Sequence, residues 1–122
     1  METGKWRIEF YLDEAGRDPV GEFLSSLDAK TQARFIRSIE LLRERNIQAR
    51  EPLVRHLEGK LWELRQESQT NIYRLIYVFA SGRRILFLHG FQKKTQRTPR
   101  SEIETAQRRF AILLAREGGE QE

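Results

Sequence analysis

Arginine and lysine side chains on neighbouring β-like segments are the part of this sequence best equipped for chemistry. Arg65 and Arg74 fall on two successive strand-like runs, and Lys93 and Lys94 follow a third. A guanidinium fork binds two oxygens at once and stays charged at any physiological pH. Fixed cations aimed at phosphate oxygens stabilise the charge that builds on phosphorus during phosphoryl chemistry. The surrounding composition sharpens this reading. From Ser68 to Ser101, a stretch of 34 residues, there is no Asp or Glu, and the seven cations are Arg74, Arg83, Arg84, Lys93, Lys94, Arg97 and Arg100. Cations on a sheet without partners inside their own segment make a surface for a polyanion. The whole formal charge of +4 comes from the middle of the chain: residues 51–100 hold ten cations against four anions.

Other chemistries find less support. There is no cysteine, which excludes disulfides, cysteine–zinc sites and thiol catalysis. The two histidines, His56 and His89, are 33 residues apart and do not make a metal site. Gly59-Lys60 lacks the spacing of a phosphate-cradling loop, and no nucleophile elbow is present. His89 stands inside the strand system, where an imidazole suits proton transfer, or is simply a core residue satisfied by a hydrogen bond. His56 reads as a polar-loop residue. Phe91 can stack on a base or pack in the core, and Trp62 reads as packing.

The elements that must position these residues follow from periodicity. Trp6, Ile8, Phe10 and Leu12 alternate with polar residues and with Tyr11, predicting a half-buried strand. Asp18-Pro19 is a helix start, with Asp as N-cap and Pro at the first helical position. A second helix is expected over about Lys30 to Arg45, with Phe35, Ile36, Ile39 and Leu42 as its apolar stripe. Gln48 to Glu58 reads as irregular. Three strands are expected at Leu61–Gln66, Ile72–Phe79 and Arg84–Phe91, with a hairpin turn at Ser81-Gly82. The middle strand is apolar on both faces, except that Arg74 stands among Ile72, Ile76 and Val78. Thr98 as N-cap and Pro99 start a final helix carrying Ile103, Ala106, Phe110, Leu113 and Leu114. The expected fold is a single α+β domain over residues 1–117, in the order β-α-α-β-β-β-α. Its sheet is mostly antiparallel, with an N-terminal helical hairpin, a C-terminal helix and a frayed tail over 118–122. No apolar run approaches the roughly 20 residues a membrane span needs, and the polar N-terminus lacks a signal-peptide core, so a soluble cytoplasmic protein is expected.

Five segments, in order, carry a family likeness. They are Leu61-Trp62-Glu63-Leu64-Arg65, Tyr73-Arg74-Leu75-Ile76-Tyr77, Leu88-His89-Gly90-Phe91-Gln92-Lys93-Lys94-Thr95, Thr98-Pro99, and Glu102-Ile103-Glu104-Thr105-Ala106. With them the chain resembles the phage-derived HigB-like branch of the RelE/ParE toxin superfamily. The resemblance implies a RelE-like fold and the toxin of a type II toxin–antitoxin pair that cuts mRNA, in most relatives on the ribosome. It also implies a helix-turn-helix antitoxin as partner, no cofactor and no metal. ParE-like relatives on the same fold inhibit DNA gyrase instead, and a non-catalytic RNA-binding relative is a third reading.

Cutting RNA without a metal uses the neighbouring 2′-hydroxyl as nucleophile. The protein must orient that hydroxyl, stabilise charge on phosphorus and protonate the leaving 5′-oxygen. By the resemblance, Tyr73-Arg74 looks like the pair whose arginine contacts the scissile phosphate; otherwise Arg74 is structural and paired with a carboxylate such as Glu63. Arg65 is a second candidate, or a partner of Glu67. One of Lys93 and Lys94 is expected at phosphate, with Lys60, Arg97, Arg100 and Phe91 as RNA-binding residues. Two departures from the family pattern stand out. Glu63 is a carboxylate where several relatives carry a lysine, so it reads as a general base or as an ion-pair partner of Arg65 or Arg74. No tyrosine follows Tyr77, so the C-terminal stacking tyrosine of some relatives is missing.

Overall fold

The computed structural model describes residues 6–45, 54–92 and 97–118. Five strands and three helices follow one another as β1 (Arg7–Phe10), α1 (Pro19–Ser25), α2 (Ala29–Arg45), β2 (Val54–Glu58), β3 (Leu61–Ser68), β4 (Asn71–Ala80), β5 (Arg84–Gln92) and α3 (Arg100–Arg116). The strands form one sheet in the order β1-β5-β4-β3-β2, with β1 parallel to β5 and every other pair antiparallel. The fold is α+β. It differs from the expected order by one strand, since Val54–Glu58 pairs with β3 where an irregular segment was expected. His56 is therefore a strand residue, not a loop residue. Gly59, at a φ of 54°, supplies the two-residue turn that returns β2 to β3.

The helical hairpin covers one face of the sheet and α3 covers part of the other. Asp18 caps α1 by accepting from the Gly21 amide at 2.9 Å, with Pro19 in the first turn. Val20, Phe35, Ile39 and Leu42 then pack on Leu64, Leu75, Tyr77, Ile85 and Phe87. Ile36 is 56% exposed and leaves the expected stripe. Its place is taken by Ser38, buried because its hydroxyl accepts from the Gln66 side-chain amide at 2.7 Å. On the opposite face Ile103 and Ala106 of α3 meet Ile76, Val78, Leu86, Leu88 and Phe91. Tyr11 joins this second core and Leu12 is exposed, because the alternation of the first strand ends with β1 at Phe10.

A bulge in β5 decides which side chains face α3. Ile76 pairs with His89 and Tyr77 with Phe87, so Leu88 is the extra residue. Leu88 and His89 consequently both turn toward α3, and Gly90 turns toward the hairpin. A Cβ on Gly90 would lie 2.5 Å from Phe23 Cδ2 and 3.0 Å from Leu75 Cδ2, so close packing demands glycine there.

α3 begins one residue later than expected. Pro99 is its N-cap, in extended conformation and without a side-chain cap bond. Thr98 does not cap the helix. Its hydroxyl donates instead to Glu63 Oε1 on β3, a long-range partner that outcompetes the local one.

Candidate nucleic-acid interface

Strand register brings the predicted residues of β3 and β4 together. Arg65 and Arg74 are directly paired across the strands, and Glu63 lies two positions along β3 on the same face. That face is the one α3 covers only in part. Arg74 has no exposed side-chain surface and Glu63 is 1% exposed, with Arg74 Nε 3.6 Å from Glu63 Oε2. Thr98 closes the chain on the other carboxylate oxygen. The buried sequence Arg74–Glu63–Thr98 therefore ties β4 to β3 and both to the segment that leads into α3. Burial is the main pull lowering the Arg74 pKa from its usual value; Glu63 opposes it, and the nearby charges of Arg65 and Arg55 add to it. Among the described residues, the guanidiniums of Arg55, Arg65 and Arg74 thus stand near a single buried carboxylate, Glu63.

Arg65 reaches the surface, its side chain 18% exposed and 3.9 Å from Glu67 Oε2. A groove of about 410 Å³, which Arg65 does not line, is formed by Arg55, His56, Leu57, Glu58, Arg97, Thr98, Arg100 and Ile103. Arg55 comes from β2, opposite Glu63 in register. Arg97 comes from the segment leading into α3, which Thr98 anchors, and Arg100 is the first residue of the helix. Arg100 Nη2 donates to Glu58 Oε1 at 2.6 Å, and Gln107 Nε2 donates to Glu58 Oε2 at 2.6 Å, so the one carboxylate among the described lining residues is engaged. His56 Nε2 donates to the Gly59 carbonyl at 2.8 Å, which leaves Nδ1 as the acceptor.

The remaining candidates lie apart from this groove. His89 faces α3, with Nε2 2.5 Å from Glu102 Oε1 and Nδ1 3.3 Å from Arg109 Nη1. Arg109 also donates to the Leu88 carbonyl at 2.9 Å. This set docks α3 on the bulge of β5. Burial lowers the His89 pKa, against the pull of Glu102. Phe91 is buried in the core and stacks on His89 with ring centroids 5.4 Å apart. Lys60 is exposed in the turn between β2 and β3. Lys93 and Lys94 fall outside the described residues. Among the described residues no group of three His, Asp or Glu comes together in a way that could hold a metal.

The acid-free segment is less bare than its sequence implies. Arg74 is held by Glu63, Arg84 by Glu9 and Glu117, and Arg100 by Glu58, all carboxylates from outside the segment. Strand pairing and helix docking bring those partners in from afar. Arg55 and His56, which line the groove, carry no signal in the sequence beyond the Gly59 turn that makes their segment a strand.

A family model described as phage derived protein Gp49-like (DUF891) matches residues 22–111, most of the chain. The chain belongs to this Gp49-like family. The matched region runs from α1 into α3, so in this Gp49-like protein it contains every described residue of the arginine groove and of the buried chain beneath it. No curated protein matches the chain. Among the described residues no helix is long and apolar enough to cross a membrane.

Proposed function

We propose that this Gp49-like protein is the toxin of a type II toxin–antitoxin pair, in the HigB-like branch of the RelE/ParE superfamily. It acts in the cytoplasm as an endoribonuclease on mRNA held by the ribosome, and a helix-turn-helix antitoxin neutralises it. The Gp49-like family is associated with toxins of such pairs. The observation that carries the chemical part is the groove in which Arg55, Arg97 and Arg100 meet, with Glu58 as the single carboxylate among the described lining residues.

In this reading the RNA backbone enters the groove and its phosphate is held by the forks of Arg55, Arg65 and Arg97. These cations stabilise the extra negative charge as the 2′-oxygen attacks phosphorus and the 5′-oxygen leaves. Lys93 or Lys94, between Gln92 and Arg97 in the sequence, adds to that stabilisation. His56 Nδ1 takes the 2′-hydroxyl proton, and a water in the open groove gives a proton to the leaving 5′-oxygen. Arg74 and Glu63 act from beneath: they fix β3 and, through Thr98, the position of Arg97.

Induced expression followed by mapping of mRNA ends tests the proposal. The parent arrests growth and leaves cuts in translated transcripts. Arg55→Ala and Arg65→Ala each lower cutting by about 100-fold, the loss typical of removing one charge-stabilising donor. Growth arrest with intact transcripts and broken DNA would favour a ParE-like action on gyrase and overturn the ribonuclease assignment.

A further inference from the structure

A second groove lies on the opposite face of the same β2–β3 hairpin. It measures about 450 Å³ and is lined by His56, Gly59, Lys60, Trp62 and Phe79. Its walls are aromatic. The rings of Trp62 and Phe79 are 6.5 Å apart at a 74° angle, and His56 meets Trp62 edge-on at 5.1 Å. Trp6 extends the cluster, 5.2 Å from Phe79. Trp62 and Phe79 pack against the core of that face but remain half-buried, so each keeps a ring surface outside it. Gly59 leaves the rim open, since a Cβ there would meet nothing within 4 Å. Among the described residues the only charged lining residue is a cation, Lys60, and no carboxylate lines the groove.

His56 also lines the arginine groove, so the two grooves meet at one edge strand. One side of that strand offers guanidiniums and the other offers rings beside an ammonium. Cations that follow a backbone and aromatic faces that receive unpaired bases are the two requirements for holding a single strand of nucleic acid.

We propose that the aromatic groove is a base-stacking subsite for single-stranded RNA. The strand crosses the edge of β2 at His56, its phosphates on Arg55 and its neighbours, and an unpaired base lies against Trp62 and Phe79. The subsite rests on the RNA reading of the arginine groove and adds to it a place for a nucleotide away from the one that is cut. Stacking tolerates any base, so the subsite confers preference for unpaired RNA rather than for a sequence.

The chain has two tryptophans, Trp6 and Trp62. Trp6→Phe therefore leaves Trp62 as the only indole reporter. The probe is a dye-labelled 2′-O-methyl oligoadenylate, which lacks the free 2′-hydroxyl and survives cleavage. Binding is read twice, by anisotropy of the dye and by Trp62 emission. The expected result is a salt-sensitive anisotropy rise accompanied by quenching of Trp62. Trp62→Leu then weakens binding about 5- to 150-fold, and Trp62→Phe restores much of it. His56→Ala, at an exposed position, tests the crossing point without touching the core. The quench requires no mutation at Trp62, so a folding defect in Trp62→Leu leaves the measurement intact. Binding without quenching, together with unchanged affinity in Trp62→Leu, overturns the aromatic subsite and leaves the arginine groove standing. An absence of any anisotropy change overturns the RNA reading and the subsite together.

Discussion

Replacing Glu63 with Gln isolates the charge at the centre of the buried Arg74–Glu63–Thr98 chain. Glutamine preserves the shape and still offers an oxygen to the Thr98 hydroxyl. It removes the negative charge that stands 3.6 Å from Arg74 Nε. The guanidinium then loses the counter-charge of Glu63, with no exposed side-chain surface and with the like charges of Arg65 and Arg55 nearby. Removing one partner of a buried ion pair costs about 3–5 kcal/mol. With a urea m value of about 2 kcal/mol/M, the unfolding midpoint falls by roughly 2 M. Tryptophan fluorescence reads the transition, since Trp62 adjoins the substituted residue in sequence. A triple variant, Glu63→Leu with Arg74→Met and Thr98→Val, replaces all three polar groups with apolar ones. It should recover at least half of the lost stability, because a buried pair is costly to break and cheap to replace. A loss below about 1 kcal/mol in Glu63→Gln, or a triple variant no more stable than the single one, would refute the reasoning. A folded triple variant also separates positioning from stability: it should cut RNA poorly because Arg97 is no longer held in place. Arg74→Ala alone cannot make that distinction, since it uncovers a buried carboxylate as it removes a cation.

Three further outcomes follow from the packing. Tyr77 has a buried hydroxyl with no hydrogen-bond partner among the described residues, and burial pushes its pKa well above the usual phenol value. Tyr77→Phe should therefore raise stability by about 1 kcal/mol in urea unfolding. Gly90→Ala, which drives a methyl into Phe23 and Leu75, should cost about 1–3 kcal/mol on the same assay. His89 is held neutral by burial, with Arg109 donating toward Nδ1, although Glu102 favours its charged form. A histidine with a lowered folded pKa takes up its proton more readily when unfolded. Its share of stability is present above the ordinary imidazole pKa of about 6.5 and is lost as pH falls through that value toward the folded one. Unfolding midpoints measured across that range should decline with acid, and His89→Gln should flatten the decline.

Local signals in the sequence survive in the structure where nothing distant competes with them. Asp18-Pro19 starts α1 because the capping carboxylate and the amide it accepts from are three residues apart. Thr98-Pro99 carries a similar signal, yet Glu63, 35 residues away, claims the threonine hydroxyl and shifts the cap to Pro99. The strand β2 carries little local signal because a short edge strand takes its conformation from its partner, and Leu57 and Glu58 fall at an irregularity in the pairing. Ile36 was placed inside by its type alone, whereas Ser38 is inside because Gln66 satisfies it. The same limit applies to the site. Adjacent strands put Arg65 beside Arg74, as their spacing implied, but only tertiary contacts decide that Arg74 is enclosed and that Arg55 lines the groove.

The parallel pairing of β1 with β5 has a consequence for how the chain acquires its fold during synthesis. Arg7 pairs with Arg84, so the first strand to leave a ribosome has no docking site until the last strand has emerged. Contacts this far apart in sequence close late and slowly. A nascent chain lacking β5 cannot seat β1, and the second core still lacks Leu86, Leu88 and Phe91. The sheet therefore closes around its N-terminal strand only after β5 has been made.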